Sequence, residues 1–352
     1  MLHEHRSDKL KPDLVGMTQP ELEIFFGDLG KESYRAAQVM KWIHRGLADS
    51  FDVMSNFSKS LRNELSLRAS ILRPKVLDVS CSDDGTKKFL MGLEDECRVE
   101  TVLIPGEDHD TLCLSTQVGC QMGCRICRTA RIGLIRNLSA GEIVGQILEV
   151  RRREPLSRIT NVVLMGMGEP LANFDQTVKA LRIMSHPNGP QISWRRLTVS
   201  TVGLPNGILQ LGRVIRAKLA VSLNAVTDEQ RTAIMPVNRI YPLSELLGAL
   251  KEYPLARRDR ITIQYVLIDG FNDSDADARQ LVRLLNPIRA KVNLIPFNDE
   301  LDENFRTPKP ERVLRFQEIL MANSLVAIVR RSRGRDITAA CGQLAGGAGS
   351  PS

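Results

Sequence analysis

Short apolar runs alternate with helical patterns along most of the chain beyond about residue 110. The runs predict strands, and the amphipathic stretches between them predict helices that begin near Ser139, Asn173, Pro242, Ser274 and Pro310. Because strands that alternate with helices pair in parallel, the pattern predicts an α/β fold, a full or partial β/α barrel; a doubly wound open sheet is the alternative. The predicted strands are Thr111–Ser115, Asn161–Met165, Arg196–Ser200, Lys218–Leu223, Ile261–Ile268, Lys291–Ile295 and Leu325–Val329.

The first hundred residues follow other patterns. Residues 1 to about 75 predict a small helical domain, with apolar residues at helical spacing over Tyr34–His44 and Val53–Leu67. Apolar runs then flank the turn sequence Asp83-Asp84-Gly85 and predict a β-hairpin with a third strand. These strands are Val76–Ser82, Lys87–Leu93 and Val99–Ile104. The predicted organisation is a helical domain (1–75), a hairpin region (76–105), the barrel (106–344) and a disordered tail (345–352).

Charge is unevenly distributed along the chain. There are 48 Lys and Arg against 41 Asp and Glu, a net charge of +7, and positions 120 to 160 hold eight arginines against three acids. A second basic cluster comprises Arg330, Arg331, Arg333 and Arg335. Such clusters are compatible with a polyanionic partner. For Arg151–Arg153, a solvated helix face is an equally good interpretation.

The ends and the cysteines indicate a compartment. The N-terminal segment is charged, and no run of ~18 apolar residues occurs. We therefore expect neither export nor membrane insertion, but a cytoplasmic and reducing location. There, clustered cysteines more often mark a metal or catalytic site than a disulfide.

Three of the seven cysteines form the strongest local motif, Cys120-Gln-Met-Gly-Cys124-Arg-Ile-Cys127. Three thiolates can hold three irons of a [4Fe–4S] cube and leave the fourth iron open, although clusters usually take four cysteines. The alternative is a tetrahedral zinc with Cys113 as the fourth ligand.

The cysteine motif resembles the signature of radical S-adenosylmethionine (SAM) enzymes. The sequence around it resembles one branch of them, the bacterial RNA adenine-C2 methyltransferases, with matching segments in one order from Tyr34 to Leu344. The segments are Cys113-Leu-Ser-Thr-Gln-Val-Gly-Cys120, Met165-Gly-Met-Gly-Glu-Pro-Leu171, Thr198-Val-Ser-Thr201, Ala220-Val-Ser-Leu223, Tyr265-Val-Leu-Ile-Asp-Gly270, Asn293-Leu-Ile-Pro-Phe-Asn298 and Arg333-Gly-Arg-Asp-Ile-Thr-Ala-Ala-Cys-Gly-Gln343.

The resemblance implies a barrel of the radical SAM type and a radical mechanism. Carbon C2 of adenine lies between two ring nitrogens and is a poor nucleophile, so ordinary displacement on the SAM methyl group should fail. In the family, the cysteine matching Cys341 accepts a methyl group from one SAM, and a second SAM, cleaved at the [4Fe–4S] cluster, supplies the radical. The cysteine matching Cys113 then forms a transient disulfide with it, and Glu100 matches the proton acceptor.

The resemblance also assigns seven SAM contacts. In a β/α barrel the chemistry gathers at the carboxyl ends of the strands, and these residues follow or end predicted strands. They are Gly168, Glu169, Ser200, Ser222, Leu223, Asn224 and Asn298. Two positions depart from the family, which commonly has an aromatic residue at Ile126 and a histidine at Asn224.

Without the resemblance, some of these residues have ordinary interpretations. Cys113 and Cys341 could fill the core, and Glu100 could face outward from a strand. Cys81 and Cys97 match no motif, and we interpret both as structural.

The resemblance implies RNA substrates. It indicates an adenosine of the peptidyl transferase centre in 23S rRNA, the adenosine 3′ of the anticodon in some tRNAs, and an electron donor such as flavodoxin. The helical domain and the arginine clusters would hold phosphates. Two alternatives remain: methylation at C8, as in related resistance methyltransferases, and a zinc-stapled RNA-binding protein without catalysis.

Overall fold

The computed structural model describes residues 11–299, 301–330 and 332–346. Three helices form the N-terminal domain: α1 (Gln19–Asp28), α2 (Tyr34–His44) and α3 (Lys59–Arg68). The predicted helix over Tyr34–His44 is observed. The second predicted stretch is divided, because Ser58 accepts a hydrogen bond from the Leu61 amide and begins α3 there.

The described strands form one ten-stranded sheet and one two-stranded ribbon. The sheet begins with an antiparallel part that matches the predicted hairpin and continues into parallel strands. Its strands are β1 (Lys75–Cys81), β2 (Lys87–Gly92), β3 (Arg98–Ile104), β4 (Asp110–Cys113), β7 (Ile159–Leu164), β8 (Leu197–Thr201), β9 (Lys218–Ser222), β10 (Ile261–Leu267), β11 (Ala290–Pro296) and β12 (Ala327–Val329). The ribbon pairs β5 (Gln117–Gly119) with β6 (Leu134–Asn137).

The order of the parallel strands decides between the two predicted architectures. From β4 through β7, β8, β9, β10 and β11 to β12, each described strand pairs in parallel with the next strand of the sheet along the chain. A doubly wound sheet would reverse its strand order at a switch point. The sheet is therefore a partial β/α barrel, as predicted, and β12 is not paired back to β4.

Helices cover the outside of the barrel. Ser139 and Glu142 form the predicted capping box, in which the Ser139 hydroxyl accepts from the Glu142 amide and the Glu142 carboxylate accepts from the Ser139 amide. The remaining helices are α4 (Arg128–Ile132), α5 (Ala140–Arg153), α6 (Phe174–Ser185), α7 (Pro205–Val214), α8 (Asp228–Ile234), α9 (Leu243–Glu252), α10 (Asp275–Leu285) and α11 (Pro310–Ala322). None of the helices within the described ranges is long and apolar enough to cross a membrane.

The N-terminal domain docks on α5 through a close backbone contact. A Cβ atom at Gly16 would lie 2.7 Å from the Gly141 amide nitrogen, and one at Gly141 would lie 2.2 Å from Asp13 Oδ2. Asp13 itself accepts hydrogen bonds from the amides of Val15 and Leu72, and burial raises its pKa to about 6. The two glycines therefore allow the helical domain and the barrel to share one core.

We expect the substitution Gly16→Ala to destabilise the protein by about 1–3 kcal/mol, because the new methyl group must push two backbones apart. Gly248→Ala is the matched control: a Cβ there meets nothing within 4 Å, and the change lies inside α9, where Ala stabilises by about 0.5–1 kcal/mol. Urea unfolding of both variants measures the difference. Equal stability of the two variants would contradict the docking contact.

Candidate active site

The three motif cysteines lie in one loop between β5 and α4. Its start is fixed by the hydrogen bond from the Cys120 amide to the Gly133 carbonyl, 2.8 Å long, and its end by the bond from the Arg128 amide to the Gly342 carbonyl, 2.6 Å long. Gly119, at φ 74°, precedes the loop, and a Cβ there would lie 1.8 Å from the Gly133 oxygen. A glycine is therefore required where the ribbon turns into the loop.

All three cysteines line one cavity at the carboxyl ends of the parallel strands. Burial raises the pKa of the Cys120 thiol to about 12 and also raises that of Cys124. Iron binding would deprotonate such thiols, which is the usual coupling of metal affinity to protonation. The donor set, three cysteines on one wall with open space beside them, fits a [4Fe–4S] cluster with one free iron.

The zinc alternative lacks its proposed fourth ligand in this geometry. Cys113, the postulated fourth ligand, is buried in β4 and does not line the cavity.

Six of the seven residues assigned to SAM line the same cavity as the cysteines. They are Gly168, Glu169, Ser200, Ser222, Asn224 and Asn298. Leu223 differs: its side chain is fully buried in the core, and its carbonyl oxygen accepts a hydrogen bond from Arg231. Its neighbours Ser222 and Asn224 line the cavity.

Glu169 is the most enclosed acid of the cavity. Its carboxylate accepts hydrogen bonds from the Leu171 amide at 3.0 Å and the Val202 amide at 2.8 Å, which tie the loop after β7 to the loop after β8. Burial raises its pKa to about 7. Gly168, at φ 99°, lies against Gln117, and a Cβ at this position would be 2.5 Å from Gln117 Cβ. A glycine is therefore required directly before Glu169.

Asn224 occupies one of the two positions that depart from the family. It has a positive φ of 59°, a conformation that asparagine tolerates better than most residues. Its side chain accepts from the Val266 amide at 2.9 Å and donates toward the Met235 sulfur at 3.2 Å. The side-chain amide therefore connects the residue that follows the end of β9 to β10 and to Met235, beside the cavity. Ile126, the other departure, is buried and lines the cavity.

The structure brings Cys341 to the cavity and close to Cys113. Cys341 lines the cavity next to Gly342 and is accessible from it. Burial raises the pKa of the Cys113 thiol, and the negative charge of a Cys341 thiolate would raise it further. Both cysteines are free thiols. Two residues 228 positions apart thus meet at the edge of the predicted cluster site.

Glu100 anchors the segment that carries Cys341. Its Oε2 accepts the amide of Ala345 at 2.7 Å and that of Gly346 at 3.2 Å. Its Oε1 lies 3.1 Å from Lys88 Nζ, which also donates to Thr338 Oγ1 at 2.8 Å. Ala345 and Gly346, predicted to begin a disordered tail, are thus hydrogen-bonded here; residues 347–352 lie outside the described ranges.

Glu100 and Cys113 share one face of the sheet. Val102 on β3 pairs with Cys113 on β4, and residues two apart on a strand point the same way. The carboxylate and the two cysteines therefore belong to one neighbourhood, under the segment from Gly334 to Gly346.

Several arginines of the basic segment have structural partners. Arg136 bridges Asp95 at 2.6 Å and Glu142 at 2.8 Å, and Arg151 donates to the Pro190 carbonyl at 2.9 Å. Arg153 and Arg158 are exposed and stay candidates for phosphate contacts. Arg335 donates to Asn298 at the cavity, and Arg331 lies outside the described residues.

Sequence reasoning missed two charged residues of the site, Lys88 and Arg231. Lys88 follows another lysine in an exposed-looking hairpin, and nothing local indicates that it is partly buried beneath a distant segment. Arg231 lies in the polar helix α8, whose sequence is typical of a surface helix, yet its side chain is fully buried.

Comparisons with known proteins agree with this geometry. Residues 12–71 match the family model for the N-terminal domain of ribosomal RNA large subunit methyltransferases, and residues 114–282 match that of the radical SAM superfamily. The chain is 51% identical to the dual-specificity RNA methyltransferase RlmN of Syntrophotalea carbinolica, over 95% of this chain and 90% of the relative. It is 50% identical to RlmN of Geobacter sulfurreducens, over 95% and 92%.

A solved structure leads to the same assignment. The crystal structure of a radical SAM methyltransferase from Sphaerobacter thermophilus superposes with a TM-score of 0.90 at 43% identity, covering 95% of this chain and 99% of that one. The fold and site therefore define a radical SAM enzyme, for which a [4Fe–4S] cluster and SAM are the cofactors. Within that class, the chain belongs to the RlmN family of dual-specificity RNA methyltransferases.

The anchor on Glu100 predicts a local effect of Lys88→Met. Removing the cation leaves a buried carboxylate without its ion-pair partner, which costs more than ~1.4 kcal/mol. Opening of the segment should therefore increase, and amide hydrogen exchange at Ala345 and Gly346 should accelerate by roughly tenfold or more. Exchange followed by mass spectrometry of the C-terminal peptide measures this.

The neighbouring lysine provides the control for that experiment. Lys87 pairs with Glu154 on the other face of β2, away from the segment. Lys87→Met should leave the exchange of Ala345 and Gly346 unchanged. If both variants exchange at the wild-type rate, Lys88 and Glu100 do not hold the segment.

Proposed function

We propose that this chain is a radical SAM methyltransferase that adds a methyl group to C2 of a specific adenosine in 23S rRNA and of an adenosine in some tRNAs. The observation that carries the proposal is the cavity itself. The cysteine motif, six of the seven residues assigned to SAM and Cys341 line it, and Cys341 is near enough to Cys113 for the charge of its thiolate to raise the pKa of Cys113. An ordinary methyltransferase has no need of a nucleophilic thiol beside a cluster.

Cys120, Cys124 and Cys127 would hold the cluster, and Glu169, Ser200, Ser222, Asn224 and Asn298 would surround SAM. The cofactors, when bound, supply a methyl group and a carbon-centred radical. The rest of the chemistry falls to the protein. Cys341 Sγ carries the methyl group, and loss of a hydrogen atom from that group leaves a carbon radical that bonds to adenine C2.

Product release then needs a base and a second thiol. Glu100 takes the C2 proton of the adduct, and its place on the same sheet face as Cys113 suits this role. Cys113 Sγ attacks Cys341 Sγ, which forms an S–S bond and breaks the bond from Cys341 to carbon. The carbon keeps the electron pair of the broken bond and takes up the Cys113 proton, which completes the methyl group on C2. The unpaired electron of the adduct must leave with the C2 proton, to a one-electron acceptor for which the oxidised cluster would serve, and the disulfide must be reduced by two electrons before the next cycle. Two SAM molecules are used per turnover.

The position of Cys341 inside the barrel limits which adenosines can react. A base inside folded RNA must leave its stack to reach a thiol within a barrel, which favours loop adenosines. The N-terminal domain and the exposed arginines Arg153 and Arg158 would contact phosphates, so binding should weaken as salt rises. An external donor such as flavodoxin would supply electrons in the cytoplasm, where the rRNA and tRNA are found.

Two cysteine substitutions test the reaction. Cys341→Ala should abolish turnover, because no thiol then carries the methyl group. Cys113→Ala should instead trap protein covalently linked to RNA, since the adduct cannot be released. Anaerobic incubation with SAM, a reductant and rRNA, followed by denaturing electrophoresis and mass spectrometry of the modified base, distinguishes the two outcomes.

Cys81→Ala is the control, because Cys81 is exposed on the hairpin and does not line the cavity. It should retain full turnover. Mapping the new methyl group to C8 would assign the chain to the related C8 chemistry, and full turnover by Cys341→Ala would overturn the thiol mechanism itself.

A further inference from the structure

Arg231 is the largest fully buried side chain among the described residues, and no motif accounts for it. It projects from α8 beneath the cavity, between the carboxyl ends of β8 and β9. Nε donates to the Leu223 carbonyl at 3.2 Å, Nη2 to the Val202 carbonyl, and Nη1 to Asn238 Oδ1 at 3.0 Å. Every nitrogen of the guanidinium group is thus used.

This guanidinium carries a buried charge without a direct counter-ion. Burial lowers its pKa to about 10, so it stays protonated at neutral pH. Within the described residues, none of the ion pairs closer than 4.0 Å includes Arg231. The nearest acid in the network, Asp228, is reached only through Asn238, whose amide donates to the Asp228 carboxylate at 2.9 Å. A buried cation of this kind is costly unless a negative charge lies nearby.

The cysteine loop is the place where such a negative charge arises. The loop rests on the end of α8, where the Arg125 amide donates to the Ile234 carbonyl at 2.9 Å and Cys124 packs against Ile234 and Met235. Arg231 and this contact lie one turn apart on α8, so the negative charge of a Cys124 thiolate would act favourably on the guanidinium. With a cluster on three thiolates, the negative charge is permanent and increases by one when the cluster is reduced.

The same side chain orders the SAM end of the cavity. The peptide around Val202 is held on both sides, its N–H by Glu169 and its C=O by Arg231. Arg231 also binds the carbonyl of Leu223, between the cavity residues Ser222 and Asn224. One cation therefore connects the loops after β7, β8 and β9.

We propose that Arg231 is a positioning residue for the cluster and SAM: its buried positive charge offsets the charge of the thiolate-ligated cluster and raises the cluster's reduction potential, while its donors fix the loops that surround SAM. The inference rests on the presence of the cluster and not on which carbon of adenine is methylated.

The test compares Arg231→Gln with Arg231→Lys in anaerobically reconstituted protein. Both changes keep a hydrogen-bond donor, but only lysine keeps the charge. Redox titration followed by electron paramagnetic resonance gives the midpoint potential, and iron and sulfide analysis confirms that the cluster is loaded. We expect at least a tenfold loss in the equilibrium constant for reduction in Arg231→Gln, a shift of about −59 mV for one electron, and a much smaller shift in Arg231→Lys.

Arg151→Gln is the matched control. Arg151 also donates to backbone carbonyls, those of Pro190 and Ile159, and burial also lowers its pKa, but it lies near the amino end of β7, away from the cavity. Its potential should equal that of the wild type. A loaded Arg231→Gln cluster with the wild-type potential, or equal shifts in the Gln and Lys variants, would overturn the proposal.

A second variant keeps the test decisive if Arg231→Gln does not fold. Asp228→Asn leaves Arg231 in place, keeps an oxygen that accepts from the Leu243 amide, and removes the acid nearest to the guanidinium in this network. With that charge gone, the positive charge of Arg231 acts on the cluster without an opposing acid, so the midpoint potential should rise. A folded, loaded Asp228→Asn protein with an unchanged potential would count against the charge of Arg231 as the cause.

Discussion

The parallel pairing of consecutive strands is the constraint on which the site depends. Each of the parallel strands, β4 and then β7 to β12, hydrogen-bonds to the next strand of the sheet, so every carboxyl end opens at the same rim. Gly168 and Glu169, Ser200, Ser222 and Asn298 are far apart in the chain, yet each follows or ends a strand of this series. Loss of register in one strand would move its cavity residue to the core or away from the rim, because side chains alternate between the faces.

At that rim, buried polar groups hold one another in place. A carboxylate and a guanidinium cannot lie in a closed cavity without partners, and the chain provides them from its own backbone. Glu169 takes the amides of Leu171 and Val202, and Arg231 takes the carbonyls of Val202 and Leu223. The loops are thus fixed before any ligand arrives. Such preorganisation reduces the entropy that SAM binding must overcome.

Much of this could be predicted from the sequence, and the failures have physical reasons. The barrel strands were visible because apolar runs end at turn residues, and the cysteine spacing marked the loop. Leu223 shows the first limit: a motif match does not tell which way a side chain points, and this one is buried in the core. Its assignment to SAM stays a prediction. Arg231 and Lys88 show the second, since only tertiary packing turns a charged residue on a polar helix or hairpin into a buried one. The helices α1, α4, α7 and α8 and the ribbon of β5 and β6 were also missed: α1 has no clear helical period, and α4 and both strands of the ribbon have only three to five residues.

Glu100 brings the two halves of the site together. The carboxylate proposed to accept the substrate's proton also accepts the amides of Ala345 and Gly346, and it pairs with Lys88, which in turn binds Thr338. A carboxylate is a strong acceptor only while ionised, and its hydrogen bonds to backbone amides weaken when it is protonated. In the proposed reaction, proton uptake by Glu100 and anchoring of the Cys341 segment would therefore use the same two oxygen atoms. The segment would then be held most firmly before the proton is transferred, when Cys341 must stay in the cavity, and least firmly afterwards, when the product has to leave.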